Sequence, residues 1–311
     1  MTLLLTHPDA DLHETPPGHP EQVARLPAIR AALDGMDLAR ELPVEADDAA
    51  LLRCHPRAYL DRLADAAPTE GWAQLDADTH LSPGSLRAAR LAVGAAIRAV
   101  DAVVADEHAS AFVAMRPPGH HAEAEVPMGF CLFGTVAIAA RHALDHHGLA
   151  RVAVVDFDVH HGNGTQALLW DEPRALFVST HQSPLWPGTG DASETGAHDN
   201  VLNVPLRPGS DGRAFRRAMT ERVLPRLDAF APELVLISAG FDAHRDDPLA
   251  QLEWEVEDFA WVTERLCDVA ARHAGGRVAS CLEGGYDLRA LAASVAAHVD
   301  VLRRRGDGGE G

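Results

Sequence analysis

A chain of 311 residues, 47% of them hydrophobic, can bury a sizeable core and lies at the upper end of what one α/β domain occupies. Its 27 basic residues against 46 acidic ones leave a net charge of -19, which argues against binding bulk nucleic acid and favours cationic ligands. The four cysteines, Cys54, Cys131, Cys267 and Cys281, form no Cys-x-x-Cys pair, so a sulfur-held metal is disfavoured and a reducing, cytoplasmic setting is expected.

The first residues have neither the basic flank nor the apolar length of a secretory signal, and no later stretch approaches the roughly 20 apolar residues of a membrane span, so no membrane partner is expected. No internal period repeats and no Pro- or Gly-rich linker divides the chain. A single domain over residues 1–302 is therefore expected, followed by a disordered tail over residues 303–311.

In chain order, helical spacing of apolar residues predicts a helix from Ser85 to Val104, then an apolar run from Ala111 to Met115 reads as a buried strand. A helix from Thr135 to His147 precedes a strand from Arg151 to Val155, and a helix from Ala214 to Phe230 precedes a strand from Leu234 to Ser238. A last pair follows, helix Val256 to His273 and strand Arg277 to Leu282. Strand alternating with helix implies a parallel α/β sheet, in which ligands bind outside the carboxyl ends of the strands.

Those strand ends carry the chemistry. Asp158 and His160 are two residues apart, so on extended backbone both side chains share a face, and Asp242 from another strand end completes a three-ligand set. Three oxygen and nitrogen donors leave one coordination position open, the mark of a catalytic rather than a structural ion; zinc is the first choice, with iron(II) and cobalt(II) accepting the same donors. A polar strand end or helix cap would account for the Asp-x-Asp-x-His run taken alone. His120 and His121 stand behind a stiff Pro117-Pro118-Gly119 turn and suit proton transfer near neutral pH. Tyr286, one of two tyrosines, follows Gly284 and Gly285 and offers a phenol to an oxyanion.

Taken together, the segments from His13 to Glu21, Arg116 to Glu123, Gly129-Phe130-Cys131, His160 to Gly164, Ser238 to Ala243 and Leu282 to Leu288 resemble the histone deacetylase and acetylpolyamine amidohydrolase superfamily, its class II branch in particular. The resemblance implies an arginase/deacetylase-like three-layer α/β/α fold around a mostly eight-stranded parallel sheet. It implies a zinc-dependent amidohydrolase that removes an acetyl or other short acyl group from the ε-amino group of lysine. Asp158, His160 and Asp242 then become the zinc ligands, His121 the general base, His120 its electrostatic or acid partner and Tyr286 the oxyanion donor. Asp156 should orient His120, and Asn163 should face His121. A structural potassium ion is implied beside Asp156, Asp158, His160, Ser179 and Thr180. An acyl-lysine tunnel is implied between Phe130 and Trp186, with Gly129 as a backbone contact, Leu249 on the rim and Gly284 and Gly285 completing the lining.

Acetylpolyamine or another small acylated amine is the rival substrate, weakened because Leu249 stands where polyamine-selective relatives place a carboxylate. A dinuclear manganese hydrolase of the arginase type would need an Asp where this chain has His244, and a non-catalytic acyl-lysine binder would have lost a ligand, the base or the tyrosine. A homo-oligomer is compatible with the sequence.

Overall fold

The structure is a computed structural model that describes residues 1–306. Eight strands form one parallel sheet in the spatial order Ala39–Glu41, Thr2–Leu5, Ser110–Val113, Val278–Leu282, Leu234–Ala239, Val152–Asp156, Ala175–Gln182 and Val201–Leu206. The four strands named from the sequence form the centre of this sheet, and each is buried from end to end, which is why they read as continuous apolar runs. Helices cover both faces.

The two C-terminal strands, Leu234–Ala239 and Val278–Leu282, insert between earlier strands, so chain order is interrupted at the middle of the sheet. The register sets Asp156 beside Ser238 and Cys281 beside Ser238, which brings the segments after these strands to one level. Topology therefore gathers residues 116–121, 156–163, 240–242 and 283–286 at one carboxyl end, the crevice where parallel sheets bind ligands.

Local sequence explains the helices that hold this frame. Ser85–Val104 buries a face rich in alanine and lies so close to the segment before it that a Cβ on Gly94 would meet the Val44 carbonyl at 1.9 Å. Val256–His273 opens with a capping box in which Asp258 Oδ2 accepts from the Glu255 N–H at 2.9 Å, and it ends on Arg272 and His273, matching the helix dipole. The helix expected from Ala214 to Phe230 is broken into Gly212–Ala218, a π turn over Met219–Val223, and Leu224–Phe230. Pro225 lacks an N–H and crowds the carbonyl four residues back, which opens the wider turn. Thr135–Asp145 stops two residues short of the expected end, and Gly148, at φ 69°, turns the chain away.

The first four residues of the expected tail are helical instead. Arg303–Gly306 complete the helix Leu288–Gly306, three arginines closing its last turn where the dipole favours cations, and residues 307–311 lie outside the described residues. Among the described residues no helix is long and apolar enough to cross a membrane.

Candidate active site

Asp158, His160 and Asp242 are buried, and one ligand atom from each lies within 4.8 Å of the others. The alternation argument gives the right neighbours for an incomplete reason, because the strand ends at Asp156 and residues 158–160 form bends. Carboxylates shape those bends: Asp156 Oδ1 accepts the Asp158 N–H at 3.0 Å, and Asp158 Oδ1 accepts the His160 N–H at 2.9 Å. From the neighbouring strand Asp242 Oδ1 takes the Val159 N–H at 2.9 Å, locking the two segments together.

The remaining donor atoms point at one another. His160 Nδ1 lies 3.1 Å from Asp158 Oδ1 and 3.2 Å from Asp242 Oδ2. Two carboxylates and an imidazole converging in a buried space suit a divalent ion of borderline softness. The backbone leaves room only for such a cluster: a Cβ on Gly284 would lie 2.1 Å from Asp242 Oδ2, and one on Gly240 would lie 2.0 Å from Asp158 Oδ2. The donor set and its glycine cradle fit a zinc ion.

His120 and His121 pack beside this cluster with ring centroids 3.9 Å apart and planes tilted by 43°, and their partners differ. His120 Nδ1 donates to Asp156 Oδ2 at 2.9 Å, while His121 Nδ1 lies 2.8 Å from Asn163 Oδ1. Asn163 Nδ2 donates to Glu123 Oε1 at 2.9 Å, which fixes the amide orientation and makes Oδ1 the acceptor. His121 therefore carries its proton on Nδ1 and presents a free Nε2 lone pair. Burial would depress both rings. In His120 the Asp158 and Asp156 carboxylates outweigh burial and hold its pKa well above the usual value. In His121 burial is reinforced by the charge of its neighbour His120, and its pKa lies well below. A charged His120 and a neutral His121 follow near pH 7.

A pocket of about 230 Å³ leads down to His121 and His160 between Gly129, Phe130, Leu185, Trp186, Leu249, Asp78 and Tyr286. Phe130 has φ 69° and Gly129 φ 55°, an unusual pair for a side-chain-bearing wall. The glycine is required, since a Cβ there would stand 2.4 Å from the His121 ring and 2.6 Å from Trp186. The Tyr286 ring packs edge-on to Phe130 at 5.9 Å, and the Arg25 guanidinium lies 5.1 Å from its centroid.

Several groups that hold the site were not assigned roles in the sequence reading. Asp247 Oδ2 accepts the Tyr286 N–H at 2.7 Å and so fixes the backbone that carries the phenol. Beneath it, Glu21 pairs with Arg25 at 2.9 Å and with Arg116, while Arg25 donates to the carbonyls of Gly285 at 2.7 Å and Glu283 at 2.5 Å. Glu283 in turn accepts the N–H groups of Gly119 at 2.7 Å and His120 at 3.1 Å. These four buried charges tie the histidine turn to the tyrosine turn, and only the fold, which brings residues 21, 116 and 283 together, makes that visible. Ser179 stands opposite Asp156 in strand register, and the Thr180 hydroxyl approaches the Asp156 carbonyl at 3.5 Å, which places three of the residues expected beside potassium next to one another.

Sheet order and the groups at its carboxyl end define a hydrolase of the deacetylase-like α/β class. Residues 19–302 match the histone deacetylase domain. The chain is 42% identical over 277 residues to a histone deacetylase-like amidohydrolase of Pseudomonas aeruginosa, covering 86% of this chain and 73% of that one. It is 41% identical over 303 residues to the chloroplastic histone deacetylase 10 of Oryza sativa, covering 89% and 68%. The crystal structure of the HDA15 HD domain superposes with a TM-score of 0.91 at 33% identity, covering 97% of this chain and 88% of that one. The chain belongs to the histone deacetylase family.

Proposed function

We propose that this hydrolase is zinc-dependent and removes an acetyl or other short acyl group from the ε-amino group of lysine, in the cytoplasm. The observation that carries the reading is the convergence of Asp158, His160 and Asp242, with donor atoms within 4.8 Å of one another, at the foot of a pocket that His121 and Tyr286 also line. Phe130, Leu185, Trp186 and Leu249 give that pocket apolar walls suited to a methylene chain, and Trp186 is 42% exposed, at the mouth.

Zinc held by Asp158, His160 and Asp242 would polarise the amide carbonyl and ease ionisation of water near pH 7. His121 takes the proton of the attacking water on its free Nε2, with Nδ1–H anchored on Asn163. The Tyr286 phenol donates a hydrogen bond to the oxyanion that develops on the substrate carbonyl. His121 then returns its proton to the departing amine, and the positive charge of His120, oriented by Asp156, stabilises the negative charge nearby. A potassium ion held by oxygens of Asp156, Asp158, His160, Ser179 and Thr180 would brace the metal-bearing segment.

Exchanging Asn163 for Asp tests the role of His121. A carboxylate beside Nδ1 favours the charged ring, so the folded-state pKa of His121 rises, and the neutral base is present only at higher pH. The acid limb of the kcat/KM profile is expected to move up by about one unit. An unmoved limb means that it reports some other group.

Asp78 favours a second substrate class. Its half-buried carboxylate lines the pocket, where it can accept a hydrogen bond from a peptide N–H or from the internal ammonium of an acetylpolyamine, and the net charge of -19 attracts the cationic polyamine. A substrate panel separates the two: acetyl-lysine peptides, longer acyl-lysines, acetylpolyamines and small neutral acyl amides. The acyl-lysine reading expects the highest kcat/KM on the peptides. Preference for acetylpolyamines would move the assignment to the small-amine branch.

A further inference from the structure

At the other end of the sheet, where helices return to the amino-terminal ends of the strands, three more imidazoles gather. His142 lies on the helix Thr135–Asp145, His146 caps it, and His147 follows. One ring nitrogen from each lies within 4.8 Å of the others, a limit that the donor atoms of Asp158, His160 and Asp242 also meet. Asp101, on the helix Ser85–Val104, points into the group: its Oδ1 is 2.7 Å from His142 Nε2 and 2.7 Å from His147 Nε2. The five-residue strand Val152–Asp156 separates this end from the catalytic end by roughly 16 Å.

Hydrogen bonding alone explains part of this arrangement. Asp101 can accept from two Nε2–H groups, and its carboxyl, which burial would raise, is instead lowered by His142 and His147. His146 stands outside that explanation. It is exposed, and among the described residues its ring contacts are the stacked ring of His142 at 4.7 Å and the edge of His147 at 5.0 Å. A third imidazole brought to the same point has a use if the rings share an ion.

We propose that His142, His146 and His147, with the Asp101 carboxylate, form a second site for a divalent transition-metal ion, zinc by preference, that clasps the helix Ser85–Val104 to the turn after Thr135–Asp145. Three imidazoles and one carboxylate satisfy a tetrahedral ion with ligand bonds of about 2.0–2.2 Å. That geometry needs donors roughly 3.3 Å apart, so the exposed His146 ring swings inward and Asp101 withdraws by a few tenths of an ångström. A cavity of about 340 Å³ bordered by Glu45, Asp47, Asp101 and His142 provides access. The arginines on its wall have their own partners, Arg98 with Glu41 at 2.8 Å and Arg53 with Asp145 at 3.8 Å.

Bound zinc is counted in the native enzyme and in the His146→Ala variant after equilibration against micromolar free zinc. The native chain is expected to hold one ion more than the variant, at equal deacylase kcat/KM, and its Tm is expected to rise with zinc by more than that of the variant. The difference is read whatever the catalytic set binds, so it stands or falls separately from the proposed catalytic metal. Asp101→Asn is expected to weaken the additional ion by about tenfold or more. Equal zinc content in native and His146→Ala protein, or native-strength binding in both variants, overturns the site.

Discussion

His121→Ala is expected to lower kcat/KM by about 10²–10⁴, the usual contribution of a positioned general base. The expectation follows from the tautomer. With Nδ1–H committed to Asn163 Oδ1 at 2.8 Å, Nε2 is the only nitrogen free to take a proton, and burial beside His120 keeps that nitrogen neutral at pH 7. Asp158, His160 and Asp242 do not depend on the ring, so zinc content should match the native enzyme. Steady-state kinetics on an acetyl-lysine peptide, with metal analysis on the same sample, checks both statements. A variant with near-native turnover would transfer the role of base to another group, His120 first.

Tyr286→Phe is expected to lower kcat by about 10²–10³, equivalent to 2.7–4 kcal/mol, with KM little changed. The phenol is asked to act on charge that exists only as the reaction proceeds, so its loss should appear in kcat rather than in binding. Phenylalanine keeps the ring edge on Phe130 at 5.9 Å and the ring face toward Arg25 at 5.1 Å, and the Tyr286 N–H to Asp247 is backbone, so the fold should be untouched. Native kcat in this variant would remove the oxyanion role and leave the ring as a wall of the pocket.

Much of the site was legible because it follows strands that announce themselves. Runs such as Leu234–Ile237 are apolar throughout, being buried on both faces, and each gives way to polar residues or glycine at its carboxyl end. The strands Thr2–Leu5, Ala39–Glu41, Ala175–Gln182 and Val201–Leu206 were harder to place. The edge strand Ala39–Glu41 is three residues long and partly exposed, and Ala175–Gln182 carries Ser179, Thr180, His181 and Gln182 in buried positions. Polar residues inside a strand mask its period, yet here the first of them, Ser179, lies beside Asp156, where a polar neighbour has a use.

The positioning groups were less legible than the reacting ones. Nothing local distinguishes Glu21, Arg25, Asp78 or Asp247 from surface charges, and their meaning depends on contacts across long stretches of chain, such as Arg25 with the Gly285 carbonyl. Residue types suggest which chemistry is available, whereas burial and pairing depend on topology. Losing one partner of the Glu21 and Arg116 pair would strand a buried charge at a cost of about 3–5 kcal/mol, so this frame is as exposed to mutation as the catalytic groups are.

The proposed zinc requirement rests on Asp158, His160 and Asp242 acting as one ligand set, and reconstitution tests it most directly. Enzyme stripped by a chelator is assayed on an acetyl-lysine peptide, resupplied with zinc and assayed again, beside Asp242→Ala treated in the same way. Turnover should vanish on stripping, return with zinc in the native chain and stay absent in the variant. Full turnover by the stripped enzyme, or zinc-restored turnover in Asp242→Ala, would contradict it.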